Sequence, residues 1–277
     1  MTFIDASPVR DAGLGALGFD RGFAAAFKKY EMRGQRPGRV LRVDRGIATV
    51  QTSTGVDRAS LGGTHLLRAS RDPLALPCPG DWVVVRTWPD KRVTLEAVLP
   101  RRTRMLRANA NDESRGQLLA TNIDVAAIIE PMDPTPNVGR VERLAALAFA
   151  SGATPVIVLT KADLVGRPEL VAAQIDVVGP LGPVEVVAVS AHSGLGLERL
   201  RELVAPGRTM GLFGASGAGK SSLVNALAGT TVMQTQQIRR SDGRGRHTTT
   251  YRSLIPLPGL GCVIDTPGVR AIGVFDG

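Results

Sequence analysis

Apolar and polar positions change rhythm along the chain. Between residues 13 and 32, Leu14, Leu17, Phe23 and Phe27 recur near helical spacing, which predicts a short amphipathic helix ending in the polar stretch Arg33 to Gly38. From Gly38 to Arg107 short apolar runs separated by turn residues take over. Val40–Val43 and Ile47–Val50 flank Asp44-Arg45-Gly46, a sequence suited to a hairpin. His65–Leu67, Trp82–Val85 after the Pro79-Gly80 turn, and Val93–Val98 bring the set to five expected strands. So many short strands in so little chain predict a small closed barrel of the OB type. Trp82 is expected to be a core residue.

Residues 108–120 are polar and read as a loop. Beyond them strand-like and helix-like runs alternate. Ile123–Ile129, Pro155–Leu159, Val184–Val189 and Thr209–Phe213 read as strands. Val138–Ala150, Pro168–Val177, Leu197–Val204 and Gly219–Ala228 read as helices, and Leu254-Ile255 with Cys262–Ile264 as a strand pair. Such alternation predicts an α/β fold, a mostly parallel sheet with helices on both faces. The expected division is an N-terminal helical extension (1–37), a barrel (38–107) and an α/β domain (108–277).

Charge sharpens this division. The net charge is +9, and residues 33–107 hold fifteen basic side chains against six acidic, which is the whole surplus; all fifteen are Arg except Lys91. A basic surface concentrated in one segment attracts a phosphate backbone, or less often an anionic membrane. Only Trp82 and Trp88 are aromatic in the barrel, too few for a base-stacking platform, so charge and shape would dominate RNA contact. Two cysteines, Cys78 and Cys262, provide neither a disulfide framework nor a zinc cluster. The N-terminus lacks the layout of a signal peptide and no apolar stretch is long enough to span a bilayer, so the expected location is cytoplasmic.

The chemistry lies in the α/β segment. Gly214-Ala215-Ser216-Gly217-Ala218-Gly219-Lys220-Ser221 fits GxxxxGK[ST] at every fixed position, between an apolar strand and a helix that continues through Ser222. Backbone N–H groups of such a loop surround phosphates at a helix N-terminus. Lys220 is expected on the β and γ phosphates and Ser221 on Mg²⁺. The loop does not choose a base. Thr160-Lys161-Ala162-Asp163, at the end of the Pro155–Leu159 strand, supplies the choice: the Asp163 carboxylate can accept from N1–H and the 2-amino group of guanine, and adenine offers neither donor. Lys161 can lay its stem over the base. Ser190-Ala191, after the next strand, fits the short motif whose backbone N–H reads guanine O6. An ATPase or kinase reading would leave Asp163 without a role. Asp265-Thr266-Pro267-Gly268 fits DxxG, with Asp265 holding Mg²⁺ through water and the Gly268 N–H meeting the γ-phosphate. The polar stretch Arg239–Thr250 suits a switch ordered by that phosphate, with Thr249 or Thr250 as its Mg²⁺ ligand.

These GTPase elements run base, base, phosphate, switch, switch. A domain whose chain is cut at a different surface loop keeps its sheet, so the order indicates circular permutation.

The permuted order behind a basic barrel resembles the bacterial ribosome small subunit-dependent GTPase A family (RsgA). LEAVLPRR (95–102), ATNIDVAAII (120–129), PVIVLTKADL (155–164), SAHSGLGLERL (190–200), GASGAGKSSLVNAL (214–227), GRHTTT (245–250) and DTPGVR (265–270) carry the likeness. It implies an OB domain and a permuted GTPase domain. The implied activity is GTP hydrolysis with Mg²⁺, stimulated by the 30S subunit during its late maturation. The implied partners are that particle and its 16S rRNA, met by a monomer. A GTP-gated RNA-binding factor elsewhere in translation is the alternative. The sequence departs from the family in Thr160, where Asn is commoner and where looser guanine binding is expected. It also lacks the C-terminal Cys/His zinc region, so Zn²⁺ is expected only if the native chain continues past Gly277. Val269 cannot orient a water as the Gln of Ras-like proteins does; His247 in the switch is the catalytic candidate, as the resemblance also suggests, with a ribosomal group as the other possibility.

Overall fold

The computed structural model describes residues 13–31, 34–109, 112–133, 135–179, 184–233 and 252–266; side chains of 107–109 and 112–116 are not described. The expected N-terminal helix is shorter than the sequence suggests. Gly13 to Gly18 forms a turn, with Gly18 at φ +93°, and helix α1 spans only Arg21–Phe27. The Asp20 carboxylate accepts from the Gly22 and Phe23 N–H groups at 2.9 and 3.1 Å, a cap that fixes the start of the helix. Leu17, Phe23 and Phe27 are buried, and the rings of Phe19 and Phe23 lie 4.8 and 5.7 Å from that of Trp82.

Five strands form the barrel: β1 (Gln35–Asp44), β2 (Ile47–Thr52), β3 (Gly55–Leu61), β4 (Trp82–Thr87) and β5 (Val93–Val98). They pair in the order β1-β2-β3-β5-β4, and β4 returns to β1 to close the ring. The β1–β2 hairpin turns through Arg45 and Gly46, both at positive φ, as its sequence predicts. The third strand differs from expectation. β3 has few apolar positions and only Ala59 is fully buried, so its backbone pairing rather than its pattern makes it a strand. His65–Leu67, expected as a strand, belongs to helix α2 (Gly63–Arg71). His65 and Ala69, one helical turn apart, face inward, while Leu66 and Leu67 are 50% and 58% exposed. The polar 108–120 stretch is likewise no loop: β6 (Arg104–Asn109) and β7 (Asp112–Thr121) form a two-stranded hairpin. The apolar end of β7, Leu118 to Ala120, anchors it in the core.

The α/β segment follows the predicted alternation. Strands β8 (Val125–Pro131), β9 (Thr154–Thr160), β10 (Glu185–Ala188), β11 (Thr209–Gly214) and β13 (Cys262–Asp265) are parallel, in the order β10-β9-β8-β11-β13. β12 (Ser253–Pro256) pairs antiparallel with β13 and touches β1 through Arg42 and Ser253, so barrel and parallel sheet are continuous. Helices α3 (Val138–Ser151) and α4 (Pro168–Val178) pack on one face; α5 (Leu197–Leu203) and α6 (Lys220–Ala228) pack on the other. The Asn137 side chain caps α3, and Gly152 at φ +85° ends it.

Arg39 ties the parts together. It lies on β1 with only 2% exposure. Its guanidinium donates to the Leu17 carbonyl (2.9 Å), the Asn122 carbonyl (3.1 Å) and the Thr209 hydroxyl (3.2 Å). The same group stands 5.0 Å from the Trp82 ring. One side chain thus joins the N-terminal turn, the barrel, and the start of the strand leading to the phosphate loop.

Candidate GTP-binding site

All the loops with candidate chemistry that the structure describes emerge at the C-terminal ends of β9, β10, β11 and β13, the edge where open parallel sheets bind ligands. β11 is flanked by β8 and β13, so the loop after Gly214 occupies the middle of that edge. Gly214 must be glycine: a Cβ there would stand 2.2 Å from the Ile129 carbonyl oxygen. Gly217 and Gly219 take positive φ of 79° and 91°, which turns the backbone toward the start of α6. Ser216, Gly217 and Ser222 are exposed, Ala218 is buried, and Ala215 and Ser221 are half-buried.

Lys220, the first residue of α6, folds back over the loop, and its ammonium donates to the Gly214 and Ala215 carbonyls at 2.8 and 2.7 Å. Burial lowers its pKa, with the Asp265 carboxylate acting the other way. Burial in turn raises the pKa of Asp265, opposed by Lys220. Asp265 is 2% exposed, and its Oδ1 is buried without a hydrogen-bond partner. A buried carboxylate oxygen without a partner is an acceptor open to a hydrated cation such as Mg²⁺. Thr266 closes the strand by donating its hydroxyl to the Leu212 carbonyl at 2.6 Å.

The two base loops are held beside this cradle. Thr160 is buried, and its hydroxyl lies 2.7 Å from the Ala218 carbonyl and 3.3 Å from that of Glu130. Lys161 takes a left-handed φ of 61°, so the chain turns sharply and presents Asp163 to solvent in a short 3₁₀ turn, Ala162–Leu164. The Ala162 N–H donates to the Val189 carbonyl at 3.1 Å, locking this loop to the next. There the buried Ser190 hydroxyl oxygen accepts from the N–H groups of His192 and Ser193, which leaves Ala191 half-buried at the turn and His192 exposed. Thus 160–163, 190–191, 214–222 and Asp265 converge at one edge. His247, Thr249, Thr250 and Gly268 lie outside the described residues.

Two groups at this edge were not anticipated. Glu130 lies near the end of the apolar β8 and is ion-paired with Arg140; the clue was an acidic residue closing an otherwise apolar run, Ala126-Ala127-Ile128-Ile129-Glu130. Asn225 on α6 accepts from the Val232 and Met233 N–H groups at 2.9 and 2.8 Å and donates to the Met233 carbonyl at 2.8 Å. A polar residue at that point of a helix gives no such clue by itself.

Away from the edge, the basic surplus divides in two. Arg39 and Arg101 are structural: Arg101 pairs with the fully buried Asp81 at 2.7 Å and donates to the carbonyls of Leu74 and Leu76. Arg45, Arg58, Arg68, Arg71, Lys91 and Arg104 are exposed. A groove of about 430 Å³ on the barrel is lined by Arg58, Lys91 and Arg92 together with Asp57. No helix among the described residues is long and apolar enough to cross a membrane.

An OB-type barrel joined to a parallel sheet, with the P-loop sequence following the TKAD and SA loops in the chain, defines a circularly permuted P-loop GTPase. The model of the RsgA GTPase family matches residues 98–275, and the chain belongs to that family. It is a GTPase. The small ribosomal subunit biogenesis GTPase RsgA of Streptomyces coelicolor is 46% identical over 266 residues, covering 96% of this chain and 71% of that protein. A relative described as small ribosomal subunit biogenesis GTPase RsgA 2, from Lactiplantibacillus plantarum, is 40% identical, with coverage of 88% and 68%. Among solved structures, YjeQ from Thermotoga maritima shares the fold with a TM-score of 0.62 at 23% identity, covering 87% of this chain and 78% of its own. YloQ, described as a circularly permuted GTPase, gives 0.57 at 20% identity, covering 88% and 75%.

Proposed function

We propose that this GTPase assists late maturation of the small ribosomal subunit, docking on 16S rRNA and hydrolysing GTP faster when docked. The observation that carries this reading is the identity to proteins of that function across nearly the whole chain. The exposed arginines of the barrel support it, since cations on a rigid surface suit a phosphate backbone. The assignment is of a monomer acting in the cytoplasm, with domains at 1–37, 38–107 and 108–277.

In this reading Gly214–Ser222 bind the phosphates, Asp163 pairs with the guanine edge, Lys161 covers the base, and Ala191 reads O6. Thr160 positions the first of these loops. Ser221 and Asp265 hold Mg²⁺, with Thr249 completing the set; the unpartnered Asp265 oxygen fits that role. When bound, the ion offsets charge on the β and γ phosphates. Lys220 leaves the two carbonyls that now satisfy it and meets the triphosphate, a move favoured by replacing partial charges with full ones. His247 orients the attacking water, and Gly268 contacts the γ-phosphate.

The test is turnover of GTP and of ATP, each with and without purified 30S subunits. GTP-selective turnover rising sharply with 30S is expected. GTP-selective turnover that responds to 50S subunits or free tRNA instead would place the protein elsewhere in translation.

A further inference from the structure

β8 is apolar and buried through Ile129, and its next-to-last residue, Glu130, has no exposed surface. The strand ladders fix its neighbours: Ile129 lies beside Gly214, where the phosphate loop begins, and Glu130 beside Leu159, next to Thr160. The Glu130 carboxylate is held by one guanidinium. Arg140, in the first turn of α3, places Nε on Oε1 and Nη2 on Oε2, the latter at 2.7 Å. The Asn137 N–H approaches Oε2 at 3.5 Å. Both charges reach Lys220, where Glu130 favours the ammonium form and Arg140 opposes it.

A carboxylate buried beneath a loop that must receive a triphosphate is electrostatically unfavourable. Unpaired, it would repel the incoming phosphates and attract the lysine that should meet them. We propose that Arg140 is a positioning residue for GTP binding, neutralising Glu130 beneath the phosphate loop so that Lys220 is available to the triphosphate. The Glu130 carbonyl also lies 3.3 Å from the Thr160 hydroxyl, which donates to Ala218 at 2.7 Å, so the ion pair sits beside the contact between the two loops. The inference rests on the phosphate-loop reading above and adds to it a charge-balancing pair drawn from β8 and α3.

The test separates charge from shape. Affinities for GTP and GDP in the presence of Mg²⁺ are measured with fluorescent nucleotide analogues, and thermal melting confirms that each variant is folded. Arg140→Met leaves the buried carboxylate unpaired and lowers GTP affinity on the order of tenfold or more, with a smaller loss for the less charged GDP. Adding Glu130→Gln to Arg140→Met removes the charge and recovers most of that loss. Arg140→Lys keeps the charge without the two-pronged contact and binds GTP within a few-fold of wild type, which keeps the question open to measurement if Arg140→Met is too unstable. An Arg140→Met protein that binds GTP normally, a double variant as weak as the single, or equal losses for GTP and GDP would each overturn the proposal. Wild-type protein that fails to bind GTP, or Lys220→Ala that binds it undiminished, would instead overturn the phosphate-loop reading and this inference with it.

Discussion

The Thr160 hydroxyl donates to the Ala218 carbonyl across 2.7 Å, so the Thr160–Asp163 loop is pinned to the Gly214–Ser221 loop. The two residues are 58 positions apart, and Thr160 comes first. Thr160→Val keeps the shape and removes the donor, leaving a buried carbonyl without its partner. The expected cost is about 1–2 kcal/mol of stability, read as a fall of roughly a few degrees in melting temperature, together with weaker GTP binding as the two loops lose their alignment. Unchanged affinity would show that the contact plays no part in binding.

Asp163 is exposed at the edge of the site, placed there by the left-handed turn at Lys161. Replacing it with Asn exchanges one of the two acceptors for a donor. Guanine then loses a partner for its 2-amino group, whereas the 2-oxo group of xanthine gains one. Asp163→Asn is expected to lower GTP turnover by about a hundredfold and to raise turnover of xanthosine triphosphate. Competition between the two nucleotides measures this, and a variant still selective for GTP would remove Asp163 from base recognition.

Arg39 satisfies three acceptors that belong to three different parts of the chain. Arg39→Met fills the volume but strands the carbonyls of Leu17 and Asn122 in a buried junction. A loss of about 2–4 kcal/mol in unfolding free energy is expected, with Arg39→Lys recovering part of it. Urea unfolding followed by Trp82 fluorescence reports on this directly, because that ring lies against the guanidinium. A midpoint equal to wild type would mean that water replaces the lost donors.

Asp20 gives the acid limb of stability a specific contributor. The hydrogen bond from Arg102 holds its carboxyl at about 2, below the ordinary 3.8, and the Phe23 and Gly22 N–H groups add to this. The folded state therefore binds this proton less readily than the unfolded chain. The stabilisation is fully present above the ordinary value and is lost as pH falls through the window toward 2. The pair is half exposed, so the effect is under about 1 kcal/mol. Asp20→Asn keeps an N-cap but removes the charge, and should flatten the pH dependence of the urea midpoint between pH 4 and 2. A slope identical to wild type would assign the acid sensitivity to other carboxylates.

Where the sequence was legible, the signal was local. The parallel strands and their helices each carry their own pattern within about a dozen residues, and the P-loop and TKAD loops are read where they stand because their chemistry needs contiguous residues. The readings that failed lacked such a signal. β3 has almost no apolar alternation, and its identity comes from pairing with β2. The His65–Leu67 run looked like a strand because it is apolar, yet its two leucines face solvent and only the helical spacing of His65 and Ala69 reaches the core. The hairpin β6–β7 is polar at its tip and is anchored through residues at its far end.

The sequence by itself determined the class of fold and the order in which the GTPase motifs run, and it supplied the residues proposed to meet nucleotide, because turn geometry and strand burial are set by near neighbours. Only the tertiary structure decided which charges are surface and which are structural. Arg39 and Arg101 look like the other arginines of the basic segment, but each is surrounded by acceptors brought from distant parts of the chain. Glu130 is tolerable in a buried strand end because α3 returns Arg140 to it, ten residues later. A buried charge is defined by the partners that fold around it, and those partners are set by packing rather than by spacing along the chain.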